Sequence, residues 1–341
     1  MKTLFTFLAV TFLITTLHAK IVYLNNELEA PDISENLYTN WSDAYAAVSD
    51  GDTIYVAGST FNYDDIELDK GIFIFGPGYF LNENTNTQVS KKIAKVGWIY
   101  LRSGSEGSHI RGLTMMNSTS EIIISNNVSD VIIESCYVPK IEFASGNGSV
   151  NNNIQIRKCY VYNSRSFVYN DTQNGFLNNA VISNNIVVGY ASVPDGSNGV
   201  ISNNLFISNR LYLGSSSSFE YTNNIYLNQN EDRFTIQPLP DASVSNNISL
   251  TGAFGNENNN FSAPQSTIFV SDENASTDGQ YMLSEDSPAK GEGTNGMDIG
   301  PFGGPDPYRL SGLPNLPNIY ELSTGGFVSG DELSVQIKIK Q

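Results

Sequence analysis

The middle of the chain repeats one pattern of apolar and polar positions. A short alternating apolar run meets two small or polar residues and then a second apolar run, as in VIIESCYV, IQIRKCYV, AVISNNIV, GVISNNLF, EYTNNIYL and SVSNNISL. The second residue of each pair is Cys136, Cys159, Asn185, Asn204, Asn224 and Asn247, with successive members 19 to 26 residues apart. The runs are too short and too rich in β-branched residues for helices, and their alternation gives each strand one inward face. No helical crossover lies between them, which excludes a βαβ sheet and helical solenoids. Pairs of Asn at one phase of a repeat are not the Asn-Gly or Asp-Gly hairpin turns of an antiparallel sandwich. The pattern predicts an all-β parallel β-helix whose coils pair with the coils above and below.

In that arrangement the Asn pairs have a structural task. A sharp bend between strands needs left-handed backbone, which Asn tolerates best after Gly. Stacked Asn side chains can also bond to one another and to the bend backbone. Asn204 is expected to serve both ends, so Asn204→Val should lose ladder bonds and strain the bend. Cys136 and Cys159 continue the ladder and are expected as free, buried thiols, since side chains stacked in register point the same way. The N-x-S/T matches at Asn127, Asn170 and Asn247 are read as chance in an Asn-rich chain.

The two ends differ from the middle. Residues 1–19 combine Lys2, an apolar run and a small residue at Ala19, which reads as a secretory signal peptide and a secreted or extracytoplasmic location. No later run is long enough to span a bilayer. NWSDAYAAVSDGDTIYVAGSTF, residues 40–61, reads as a capping helix over 42–48, N-capped by Asn40 or Ser42, followed by a first strand. The chain divides into 20–62 as cap and first strand, 63–304 as coils, and 305–341 as a Pro/Gly-rich linker with a terminal strand pair.

With 35 acidic and 18 basic residues the net charge is −17, which argues against nucleic acid as a partner. Only His18 and His109 are present, and no GxSxG, HExxH, EF-hand loop or P-loop accompanies them. No metal site is expected.

The repeat, the cap and DGQYMLSEDSPAKGEGTNGMDIGPFGG, residues 278–304, resemble the pectate-lyase-like right-handed parallel β-helix superfamily of secreted bacterial proteins. In GIFIFG and HIRGLTMM a Gly stands where later coils carry the Asn pair. The resemblance implies a right-handed β-helix and a carbohydrate partner, a polysaccharide or surface glycan. It does not carry catalysis across, because the paired Asp, Gly-His-Gly and Arg-Ile-Lys of the galacturonan hydrolases, and the Asp cluster and Arg base of the pectate lyases, have no match here. Asp64-Asp65 falls near the cap.

The residues left for chemistry are Arg165, Lys140 and Glu142 as candidate catalytic groups, with Arg165, Arg210, Tyr212 and Tyr190 as candidate glycan contacts. Arginine suits a uronate carboxylate, and tyrosine suits a sugar face. Tyr226 is a further stacking candidate. The plainer alternative is that outward strand positions must be polar in any case. Three readings stay open: a non-catalytic glycan-interacting protein, a polysaccharide lyase, and a structural or adhesive surface protein. No organic cofactor is expected, and Ca²⁺ enters only as a bridge to an acidic glycan.

Overall fold

The computed structural model describes residues 19–144, 148–163, 165–169, 175–193, 195–207, 211–213, 218–229, 234–236, 244–324 and 334–340. The expected signal peptide therefore lies outside the described residues, apart from Ala19.

The chain forms a parallel β-solenoid. Three parallel sheets, of eleven, eight and nine strands among the described residues, make its walls. One coil shows the plan: Ile132–Glu134 belongs to the first sheet, Tyr137–Val138 to the third, and Ile141–Phe143 to the second. The next coil repeats it with Gln155–Arg157, Tyr160–Val161 and Arg165–Tyr169. Strands pair in register, so like stacks on like. Ile74, Ile110, Ile133, Ile156, Ile182 and Ile201 form one inward column of the first sheet. Ile66, Ile99, Ile122 and Ile141 form another in the second sheet. These columns are buried in one continuous apolar core. β-branched side chains suit them because each packs against its own kind on the pleated surface.

The bends between the first and third sheets carry the Asn pairs, and there the two residues divide the work. Ser135, Lys158, Asn184, Asn203, Asn223 and Asn246, the first member in each case, hold φ between 50 and 57°. The second members turn inward and stack. Asn185 Nδ2 donates to Asn204 Oδ1 at 2.9 Å, Asn204 to Asn224 at 3.0 Å, and Asn224 to Asn247 at 3.1 Å. Each Oδ1 also accepts the backbone N–H of the preceding member. The expectation that Asn204 carries the left-handed strain is thus corrected: Asn203 carries it. Asn247 donates on to Asn260 at 3.0 Å, a member the spacing did not reveal. Asn247 is fully buried and cannot take a glycan. Cys136 and Cys159 head the ladder as buried free thiols, and Cys159 N–H donates to Asn185 Oδ1. Burial, with Cys136 alongside, pushes the Cys159 thiol well up. Of the two early glycines, Gly112 meets the bend requirement at φ 68°, whereas Gly76 does not adopt positive φ.

The cap is a short helix, α1, Trp41–Ala46, whose N-cap Asn40 accepts from Asp43 N–H at 2.9 Å. Trp41, Ala44 and Val48 are buried against the first coils. A strand the pattern did not announce, Ile21–Leu24, pairs in parallel with Thr53–Val56.

Beyond Pro264 the chain stops coiling and covers the outward face of the third sheet. Ile268, Phe269, Ala289, Ile299 and Tyr308 pack there with Tyr160, Ile186, Leu205, Ile225 and Ile248 in a second apolar cluster. The segment then runs back along the bends, opposite to the order of the coils. Asn246 donates to Glu292 O, Asn223 accepts from Thr294 N–H, Asn203 donates to Asp298 O and Asn184 to Gly303 O. Lys158 pairs with Asp306 at 2.6 Å, and Tyr79 N–H donates to Ser311 O at 3.0 Å. The stretch from Pro301 to Ser311, expected as the end of the coils and, from Pro305, the start of a linker, is a docked strap. Only after it does the antiparallel pair Asn318–Thr324 and Val335–Lys340 extend outward, with Ile319, Leu322, Val335, Ile337 and Ile339 exposed.

Candidate functional site

The outward face of the second sheet gathers most of the residues singled out from the sequence. Inward Ile99 and Leu101 leave Trp98, Tyr100 and Arg102 facing out, by plain alternation along WIYLR. Trp98 and Tyr100 stack with ring centres 5.9 Å apart and planes 8° from parallel. Arg102 lies over the Tyr100 ring at 4.6 Å and pairs with Glu67 at 2.7 Å. The result is a flat, partly exposed aromatic shelf edged by a guanidinium.

The next coils add a charged row. Register places Tyr100 beside Ile123 and Ile123 beside Glu142. Lys140 is held between two carboxylates, Glu121 at 2.9 Å and Glu142. All three side chains are mostly buried. Burial pushes the Glu121 carboxyl above its ordinary range, with Glu142 adding to the effect and Lys140 opposing it. For Lys140 burial acts against the charge, but the hydrogen bonds to both glutamates prevail and raise its pKa. The ammonium is therefore fixed as a cation, and the Glu121 carboxyl is shifted toward its protonated form.

Arg165 opens the following strand and is the register partner of Tyr190, and Tyr212 lies opposite Ser192 two coils on. The backbone thus puts Glu142, Arg165, Tyr190 and Tyr212 on one sheet. Tyr190 and Tyr212 are half-buried, and Tyr212 Oη donates to Asp195 at 3.4 Å. The Arg165 side chain and all of Arg210 lie outside the described residues. Tyr226 is a correction: it is 0% exposed and belongs to the core, so it offers no sugar a face. Trp98, Tyr100, Arg102 and Glu121 were missed, although the alternation of WIYLR and of EIII carries the signal.

Comparison of the chain with protein-family models, curated proteins and solved structures finds no match. Geometry alone has to distinguish this face from the others.

The first sheet has its own charged group, and its chemistry is different. Glu134 accepts from His109 Nε2 at 2.9 Å and pairs with Lys158 at 2.9 Å and Arg157 at 3.3 Å. Burial opposes the charge of Glu134, yet His109, Lys158 and Arg157 overcome it and hold the carboxyl far below the usual range. A carboxylate saturated with cations neither gives nor takes a proton near neutrality. Through Lys158 and Asp306 this group fastens the strap. Among the described residues no group of three His, Cys, Asp or Glu side chains is arranged to hold a metal ion. No helix of the described residues is long and apolar enough to cross a membrane.

Proposed function

We propose that this protein is a secreted β-helix protein of pectate-lyase-like kind that binds a glycan along the outward face of its second sheet, without cleaving it. The observation that carries the reading is the Trp98–Tyr100 shelf with Arg102 over it, set in register with the Glu121–Lys140–Glu142 row. Sugar rings lie with an apolar face on aromatic rings, while charged and amide groups take the hydroxyls. Coils repeat about every 4.8 Å, so a chain crossing several coils meets shelf, charged row and then the Tyr190 and Tyr212 strands in turn.

The protonation of this row speaks against cleavage. A lyase acting on a uronate needs a cation on the carboxylate and an unprotonated base at the C5 proton. Lys140 is held as an ammonium, so it is no base, and its charge is already shared by two glutamates. One observation favours the lyase alternative, the raised Glu121 carboxyl beside Glu142, which is the form of group that donates to a leaving oxygen.

The experiment is a fluorescence titration with soluble acidic and neutral polysaccharides, run beside an absorbance assay for unsaturated products. The chain has two tryptophans, and Trp41 is buried in the cap helix against the first coils, so a ligand-induced change reports Trp98. Read by isothermal titration calorimetry, because Trp98→Ala removes the fluorescent reporter, Trp98→Ala and Tyr100→Ala should each weaken binding about tenfold, equivalent to roughly 1.4 kcal/mol. Panel-wide silence, or binding that survives both substitutions, overturns the proposal. Product release abolished by Glu121→Gln puts the lyase reading in its place.

A further inference from the structure

On the far side of the molecule, at the N-terminal end of the third sheet, the strap leaves a cleft open. Its volume is about 360 Å³, within the usual range for small-ligand sites. Its lining includes Phe80, Lys91, Lys95, Thr114, Tyr137 and Tyr162. Three features set it apart from an ordinary surface dent.

The first is an aromatic wall. Tyr137 and Tyr162 stack with ring centres 4.3 Å apart and planes 15° from parallel, and Phe80 meets Tyr137 at 4.7 Å and 61°. Phe80 takes part from a backbone with φ 50°, a conformation costly for a bulky residue. Burial raises the hydroxyls of both tyrosines, Tyr162 to about 12, so both remain donors through the neutral range.

The second feature is a buried donor with nothing to bond. Thr114 is 4% exposed, and its Oγ1 has no hydrogen-bond partner. Buried hydroxyls are nearly always satisfied, so this one leaves the cleft lining polar and unsaturated.

The third is charge. In a protein of net −17, two lysines line this cleft. Among the described residues neither is ion-paired. Lys91 donates to Thr85 O and Thr87 Oγ1, both neutral, and Lys95 is exposed. Burial lowers the Lys91 pKa, the mark of an ammonium short of a counter-charge. Glu83 also lines the cleft, but it accepts from Thr277 N–H at 2.7 Å and holds that loop.

We propose that this cleft is a second ligand site, separate from the second-sheet face, and that it takes one carboxylate-bearing sugar ring, a hexuronate unit. The ring lies against the Tyr137–Tyr162 wall, and its carboxylate meets Lys91 and Lys95. The proposal stands whether or not the second-sheet face binds a glycan, because the two sites share no residue.

The test is saturation-transfer NMR on the full protein with glucuronate and galacturonate, beside glucose, galactose and benzoate. Uronates should bind with dissociation constants of roughly 1 mM, and the neutral sugars about tenfold more weakly. Made in a Trp98→Ala background, which silences the second-sheet face, Lys95→Gln and Tyr162→Ala should each weaken the remaining uronate binding about fivefold or more. Tyr162→Phe keeps the wall and should retain most binding, which separates lost stacking from lost fold, and thermal melts check each variant. The proposal is overturned if uronates do not saturate or if neutral sugars bind as well. It also fails if both cleft variants bind like Trp98→Ala alone, or if Trp98→Ala by itself abolishes uronate binding. Benzoate binding as tightly as the uronates would make the site one for aromatic acids and refute the sugar assignment.

Discussion

Asn203 and Asn204 are adjacent, carry the same side chain, and do unlike things. Asn203 accepts the left-handed bend and reaches out to the strap, while Asn204 points in and bonds to the coils on either side. Asn203→Val should cost about 1–2 kcal/mol of left-handed strain beyond the lost strap bond, and Asn203→Gly should give back most of the strain. Asn204→Val should cost about 1–3 kcal/mol, since the buried Ile182 O and Asn224 Oδ1 each lose a donor. Equilibrium denaturation separates the two variants. The ladder was legible because Asn recurs at one phase. The division of labour was not, because the two letters are identical. Asn260 was hidden because it follows Asn247 by only 13 residues and has no apolar run before it.

Glu134 supplies a pH signature at the same scale. Its folded carboxyl sits below the ordinary value of 4.5, so it stabilises the fold above that value. The contribution is lost as pH falls from about 4.5 toward the depressed folded value. A stability profile of the parent should show this acid limb, and Glu134→Gln should flatten it. At neutral pH the substitution should cost about 3–5 kcal/mol, because Lys158 and Arg157 would be left beside one another without the buried counter-charge between them. A profile identical to the parent's would mean that the hub contributes nothing.

Among the elements, α1 does its work by position. It closes the first coil, where unpaired inward side chains and a free strand edge would otherwise meet solvent. Deleting residues 20–50 removes Ile21–Leu24, Trp41, Ala44 and Val48 together, and light scattering should then report association. The cap was legible from Asn40 and the apolar spacing of the short helix. Ile21–Leu24 was not, because a lone IVYL run names no partner. The second-sheet face was half legible. Lys140 and Glu142 were picked out as charges in a strand, but the shelf beside them was passed over because WIYLR lacks the Asn-pair marker that identified the later coils. A strand is recognised by its bend only where the bend residue repeats.

For the whole molecule the strap changes what a solenoid is. In a plain stack each coil touches only its neighbours, and stability adds up along one dimension. Here Tyr79 bonds to Tyr308 at 2.8 Å and to the Ser311 backbone, and Asp278 accepts from Tyr308 and from Ser311 N–H. Early and late parts of the chain are thereby joined, so the coils should unfold in one transition by calorimetry rather than fraying from an end. The strap was illegible because its Pro/Gly composition is that of a linker, and much of its docking rests on backbone carbonyls that every sequence possesses. Gly300 shows how little the composition reveals: at φ 96°, a side chain there would strike Ile225.

The same cover sets a clock on synthesis. A ribosome delivers the coils first and their lid last. Until the residues beyond 263 emerge, Tyr160, Ile186, Leu205, Ile225 and Ile248 face outward bare. A nascent chain of this protein is thus a stack of sticky, unfinished rungs from the time Tyr160 is made until that cover arrives. Chains halted at residue 263 should stay open to protease and bound to holdases. Full-length chains should become resistant in a single late step.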